Sequence, residues 1–170
     1  CMIDCIPDMI DAGISSFKIE GRMKSMYYVA TIVSAYRAAI DAYYEDPENY
    51  QYRDEYYQEL CKASHRQFTH GFYYNKPTDQ DQNYLTSDYE RDYSFIGLVR
   101  GQDPETGLTI VEQRNKFSVG DTIEVFGPRT HYWEEVITEM YDEEGNPVDP
   151  GMDVPPYDLD AEIIQIEDMD

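Results

Sequence analysis

The sequence is poor in cysteine and in long apolar runs. Its three cysteines, Cys1, Cys5 and Cys61, are too few and odd in number for a disulfide framework, which favours reduced thiols or metal ligands. No apolar run approaches the roughly 18 residues that a membrane span needs, and signal-peptide and lipidation motifs are absent. These observations predict a soluble, cytoplasmic protein without a membrane partner.

Basic residues are also scarce, with 13 Lys and Arg against 35 Asp and Glu and a net charge of −22. Such a surface repels phosphate backbones unless a local basic patch overrides it. Residues 1–79 carry 8 basic and 12 acidic side chains, whereas residues 80–170 carry 5 and 23. The charge therefore divides the chain into a nearly neutral part and an acidic part that could dock a basic protein partner.

The chain begins at Cys1 and enters an amphipathic segment at once, so we expect a fragment of a longer protein. Its predicted organisation is a C-terminal piece of an α/β, TIM-like barrel over residues 1–78, a polar linker over 79–92 and a small acidic β-barrel over 93–170. The predicted fold class is α+β.

Apolar periodicity predicts helices over residues 5–12, 25–44 and 53–63, with Pro7 in the first turn, Gly13 at a helix end and Ser25 as an N-cap. "ISSFKIE", residues 14–20, predicts a strand between the first two helices. From Tyr93 onward the period becomes two, and five short segments separated by turn residues predict antiparallel strands that close into a small barrel.

The segment "FKIEGR" places Lys18, Glu20 and Arg22 at the end of the predicted strand. In a parallel α/β barrel the C-terminal ends of the strands face the active-site mouth, so these charges are candidate ligand contacts. Arg22 could bind a carboxylate or phosphate, and Glu20 could orient it or act as an acid or base. The alternative is a structural ion-pair cluster that plugs the barrel end.

A second candidate region, residues 64–77, is irregular, aromatic and basic. It contains Arg66 and two histidines, His65 and His70, which with Cys61 match no tight zinc spacing. Loop histidines beside aromatics more often pack or donate hydrogen bonds than bind metal or catalyse.

Three ordered blocks, "CMIDCIPDMIDAGISSFKIEGRMKSMYYVATIVSAYRAAID", "SHRQFTHGFYY" and "GLTIVEQRNKFSVGDTIEVFGP", resemble the C-terminal portion of the peptidase U32 family, the collagenase-like proteases. The nearest resemblance is to the branch associated with hydroxylation of the tRNA wobble uridine. It implies an upstream TIM-like barrel, a C-terminal β-barrel and either peptidase activity or prephenate-dependent 5-hydroxylation of uridine, with tRNA as a partner.

Carried over by motif, the resemblance makes Glu20 and Arg22 candidate catalytic residues, and Lys18, Lys24 and Arg66 candidate substrate contacts. It also implies iron–sulfur clusters in related members, with Cys1 at the position of a family cysteine and thus a candidate ligand. No cofactor is expected on this fragment alone, because a four-thiolate cluster needs ligands that it does not contain.

Three functions follow as hypotheses. The first is a fragment of a tRNA-hydroxylation enzyme that is inactive alone. The second is a collagenase-like peptidase, although no Ser/His/Asp, Cys/His or His-Glu-x-x-His arrangement is evident. The third is a non-catalytic module whose acidic barrel binds a protein.

Overall fold

A computed structural model describes residues 1–76, 78, 93–127 and 132–148, and the backbone of residues 163–166. The chain divides into two compact units, Cys1–Tyr93 and Ser94–Asp170. The predicted linker, residues 79–92, lies outside the described residues. None of the described helices is long and apolar enough to cross a membrane.

The first unit is helical. A 3-10 turn at Ile3–Cys5 leads into α1, Ile6–Asp11, and the longer helices α2, Met26–Glu45, and α3, Asp54–Lys62, follow. All three predicted helices are confirmed to within a residue or two at each end. Pro7 stands in the first turn of α1, where its missing N–H costs nothing, and Gly13 adopts a φ of 81° just beyond the helix.

One core fills this unit, and it joins α1, α2 and α3. Its fully buried members include Ile3, Ile6 and Leu60, and α2 contributes Ile32, Ala35, Ala39 and Tyr43. The predicted apolar face of α2 is only partly buried. Val29 and Val33 remain 38% and 44% exposed, since within the described residues no further element covers that side.

The predicted strand over residues 14–20 does not form. The segment runs without regular secondary structure and pairs with no strand of the described chain. Alternating residues such as Phe17 and Ile19 favour a strand, but a strand exists only where a neighbour supplies its ladder of hydrogen bonds. Phe17 and Ile19 instead pack against the helical core.

The second unit contains two antiparallel sheets. A four-stranded sheet has the order β1-β2-β6-β5, with strands Gly97–Gln102, Thr109–Gln113, Ile163–Ile166 and Met140–Tyr141 in that order. A hairpin pairs β3, Thr122–Val125, with β4, Trp133–Val136. The predicted antiparallel strands are thus confirmed, whereas the described strands do not close into the predicted barrel.

The sheet unit has its own small core of Val111, Phe117, Ile137 and Met140. The sequence "KFSVGD" predicts a turn after Phe117 that leads into a strand. This turn is present, because the Ser118 N–H donates to Oδ2 of Asp121 at 2.8 Å and Gly120 adopts a φ of 94°. Residues 132–142, the fourth of the five segments that the sequence predicts as strands, are divided, since buried Ile137 lies between β4 and β5.

Candidate functional site

The charged segment before α2 is a tight turn organised by Glu20. Its carboxylate accepts a hydrogen bond from the Arg22 N–H at 3.0 Å, and the Gly21 carbonyl accepts one from the Lys24 N–H at 3.0 Å. Ser25 then caps α2, because its hydroxyl accepts the N–H of Tyr28 at 3.2 Å. These hydrogen bonds hold the backbone that leads into α2. We call this segment, residues 18–25, the KIEGR turn.

Lys18 and Glu20 form an ion pair in this turn, with 3.7 Å between Nζ and Oε2. Both side chains are exposed, at 86% and 69%, so the pair contributes little to stability. Among the described residues the pair is therefore not buried, in contrast to the structural ion-pair cluster that the sequence offered as the alternative.

The Arg22 side chain is exposed and makes no hydrogen bond or ion pair with any described residue. Its guanidinium keeps all five donors for a ligand, which suits planar recognition of a carboxylate or phosphate. Lys24, in contrast, makes a cation–π contact, with its ammonium 5.0 Å from the centre of the Tyr28 ring.

The other predicted contact, Arg66, is exposed and lies in the chain that follows α3. Its neighbour His65 is buried, and a hydrogen bond of 2.9 Å joins its Nδ1 to the carbonyl oxygen of Ala63. The His65 ring also stacks on Phe68 with 4.6 Å between ring centres. The packing role predicted for loop histidines is confirmed for His65.

Cys1, the candidate iron–sulfur ligand, has its Sγ 3.8 Å from the hydroxyl of Tyr36. The chain offers only two other thiols, and Cys5 and Cys61 are free cysteines like Cys1. A four-thiolate cluster does not fit these residues alone. Cys1 as a cluster ligand therefore stays a prediction about a longer protein.

The structure brings together one set of reactive side chains that sequence spacing did not indicate. Nε2 of His70 lies 3.0 and 2.9 Å from the two carboxylate oxygens of Asp4, and the Cys5 thiol donates to Oδ1 of Asp4 at 3.4 Å. His70 is 66 residues from Asp4 in the chain, so no local pattern could reveal the contact. We call Asp4, Cys5 and His70 the DCH cluster.

The electrostatics of the DCH cluster follow from its partial burial. Burial, with the adjacent Asp4 charge, raises the pKa of the Cys5 thiol. Burial also acts to raise the pKa of Asp4, but the hydrogen bonds from His70 and Cys5 outweigh it and hold that pKa below its ordinary value. Next to the cluster, the hydrogen bond that Tyr74 donates to Asp8 raises the pKa of its phenol.

A cysteine that attacks a peptide bond must be a thiolate and must be reachable. Cys5 is 6% exposed, and its raised pKa keeps it a thiol at neutral pH. The DCH cluster thus contains the residue types of a Cys/His nucleophile set without its reactivity.

Two family models match the chain. The model described as peptidase family U32 matches residues 1–83, and the model described as peptidase family U32 C-terminal domain matches residues 91–157. Together they cover most of the sequence, and the chain belongs to peptidase family U32.

Among curated proteins, the chain is 43% identical over 148 residues to "tRNA hydroxylation protein P1" of Bacillus subtilis. The aligned region covers 87% of this chain and 35% of that protein. The chain is 36% identical over 121 residues to "tRNA hydroxylation protein P" of Escherichia coli, covering 69% of this chain and 25% of that one. A "Collagenase" of Porphyromonas gingivalis is 28% identical over 129 residues, 75% of this chain and 36% of that protein. The chain therefore spans about a third or less of the length of these relatives.

The chain is also similar to a solved structure of the C-terminal domain of a Geobacillus thermoleovorans protein described as a U32 peptidase. The match is 37% identical, covers 46% of this chain and 88% of that domain, and has a TM-score of 0.38.

Proposed function

We propose that this chain is part of an RNA-modifying protein that takes part in hydroxylation of tRNA, at the wobble uridine. The observation that carries the proposal is the 43% identity, over 87% of the chain, to a protein named for tRNA hydroxylation. The KIEGR turn lies inside the region matched by the family, and it presents an arginine whose guanidinium is available to an anionic ligand.

In this proposal Arg22 binds an anionic group of the RNA or of a small co-substrate through paired N–H donors. Lys18 adds positive charge, and Glu20 fixes the turn by accepting the Arg22 N–H. Arg66 and Lys24 are further candidate contacts, and a tRNA substrate agrees with a cytoplasmic location. A cluster that uses Cys1 would need thiolates from elsewhere in the full-length protein.

The full-length protein would complete the fold around the first unit. Among the described residues, segment 14–20 pairs with no strand and one side of α2 stays exposed. Both features support an origin at the end of a TIM-like barrel, which would supply a neighbouring sheet. The acidic second unit would bind a basic protein partner or position the substrate, since its charge opposes broad contact with RNA.

The rival function is proteolysis, favoured by the relatives named as collagenases. The buried, protonated Cys5 weighs against it, because the DCH cluster then offers no nucleophile.

The test uses cells that lack every gene of this family, complemented with the gene for the full-length protein. Mass spectrometry of tRNA nucleosides is expected to show restored hydroxylation of the wobble uridine, and the purified protein is expected to leave gelatin intact. Unrestored hydroxylation, with the protein present at normal levels, would rule the proposal out, and cleavage of gelatin would favour the rival.

A further inference from the structure

The DCH cluster has the composition of a metal site. It combines a carboxylate, a thiol and an imidazole, and one ligand atom from each lies within 4.8 Å of the other two. These are three of the ligand types that bind Zn²⁺ in proteins. The proposed tRNA function uses none of the three side chains.

The separations of the ligand atoms suit a small tetrahedral ion. Zinc bonds of about 2.0–2.3 Å place neighbouring ligand atoms roughly 3.2–3.7 Å apart in a tetrahedron. In the structure, Sγ of Cys5 and Oδ1 of Asp4 are 3.4 Å apart, and Nε2 of His70 is 2.9–3.0 Å from the Asp4 oxygens. The third pair, Sγ of Cys5 and Nε2 of His70, lies within 4.8 Å, so one ion could contact all three atoms after small movements of these side chains.

The DCH cluster combines one buried ligand with two that solvent can reach. Cys5 is buried at the start of α1 between Ile3 and Ile6, whose side chains are fully buried. Asp4 and His70 are 42% and 47% exposed, so an ion can enter from solvent and keep a water as its fourth ligand.

Tyr74 and Asp8 lie next to the cluster. The His70 ring packs edge-on against Tyr74 with 5.8 Å between centres, and the Tyr74 hydroxyl donates to Asp8 at 2.6 Å. This pair restrains the His70 ring, as outer partners do in metal sites.

We propose that Asp4, Cys5 and His70 bind a divalent, thiolate-accepting cation, with Zn²⁺ as the best match. On binding, the Cys5 thiol gives its proton to water and the sulfur bonds to the metal, so one carboxylate and one thiolate balance the two positive charges. The hydrogen bonds that now join the three side chains are replaced by bonds to the ion.

The experiment titrates the reduced full-length protein with Co²⁺ under anaerobic conditions and records difference spectra. We expect a saturable thiolate-to-cobalt charge-transfer band that Zn²⁺ abolishes by competition. Cys5→Ser should remove the band, and His70→Gln should weaken Co²⁺ binding at least about tenfold. Cys61→Ser is the matched control and should leave both unchanged, because Cys61 lies on α3 outside the cluster.

His70→Gln changes a half-exposed side chain and is expected to fold even where the change at buried Cys5 does not. The proposal is overturned if the wild-type protein gives no band, or if His70→Gln binds Co²⁺ as tightly as the wild type. Neither result would bear on tRNA hydroxylation, which is measured separately.

Discussion

A methyl group added at Gly21 would lie 2.6 Å from Cγ2 of Val29, closer than side-chain atoms pack. The KIEGR turn therefore rests directly on the first turns of α2, and glycine is required for space rather than for an unusual φ. Val29 is short and β-branched, so it cannot turn aside easily.

Gly21→Ala is expected to destabilise the protein by about 1–3 kcal/mol through this overlap. Urea unfolding of the wild type and the variant measures the change. The double variant Gly21→Ala/Val29→Ala should recover most of the loss, because it removes the atom that the added methyl group would meet. An unchanged unfolding midpoint in the single variant would show that the contact is not as close as described.

Ser25→Ala removes the side-chain oxygen that accepts the Tyr28 N–H at the start of α2. The expected cost is about 1 kcal/mol, because one of the first helical N–H groups then loses its partner. Ser25→Asp keeps an acceptor and should stay close to the wild type in thermal unfolding monitored by circular dichroism. Equal losses in both variants would contradict a capping role.

Asp142 organises the turn after β5 and gives the second unit a pH-dependent element. Its side chain accepts hydrogen bonds from the Asn146 N–H at 2.8 Å and the Glu144 N–H at 2.9 Å, and from the Asn146 amide at 3.0 Å. These bonds, those of Asn146 foremost, lower the pKa of Asp142.

A carboxyl group whose pKa is lower in the folded than in the unfolded state stabilises the fold above its unfolded pKa of about 4. That contribution is lost as the pH falls through the lower, folded pKa. Asp142→Ala should therefore lower the melting temperature at pH 7 more than at strongly acidic pH. A pH-independent effect of Asp142→Ala would contradict the assignment.

Local features of the fold could be predicted because they depend on neighbours in sequence. Ser25 marks the start of α2, and the turn after Phe117 follows from residues three or four apart. The prediction of a strand over residues 14–20 was wrong, because a strand forms only beside a partner that can be distant in sequence, and no local pattern shows whether that partner is present. The order β1-β2-β6-β5, in which the last strand inserts between earlier ones, escapes local reasoning for the same cause.

The candidate site divides in the same way. The charges of the KIEGR turn could be found from the motif, since Lys18, Glu20 and Arg22 lie within five residues. The DCH cluster could not, because His70 meets Asp4 only after α2 and α3 have folded between them. Cys61, His65 and His70 match no tight zinc spacing in the sequence, and of these three only His70 belongs to the cluster.

The proposed role of Arg22 in tRNA hydroxylation can be tested by complementation with single variants. Cells that lack every gene of this family would carry the full-length protein as wild type, as Arg22→Ala or as Arg37→Ala. Arg37 is the matched control, because it is an exposed arginine that is paired with Asp41 on α2.

Mass spectrometry of tRNA nucleosides then measures the hydroxylated wobble uridine at equal protein levels. Loss of a charged hydrogen bond predicts a fall of at least about tenfold for Arg22→Ala and wild-type hydroxylation for Arg37→Ala. Full hydroxylation with Arg22→Ala would contradict a role for the Arg22 guanidinium in the reaction.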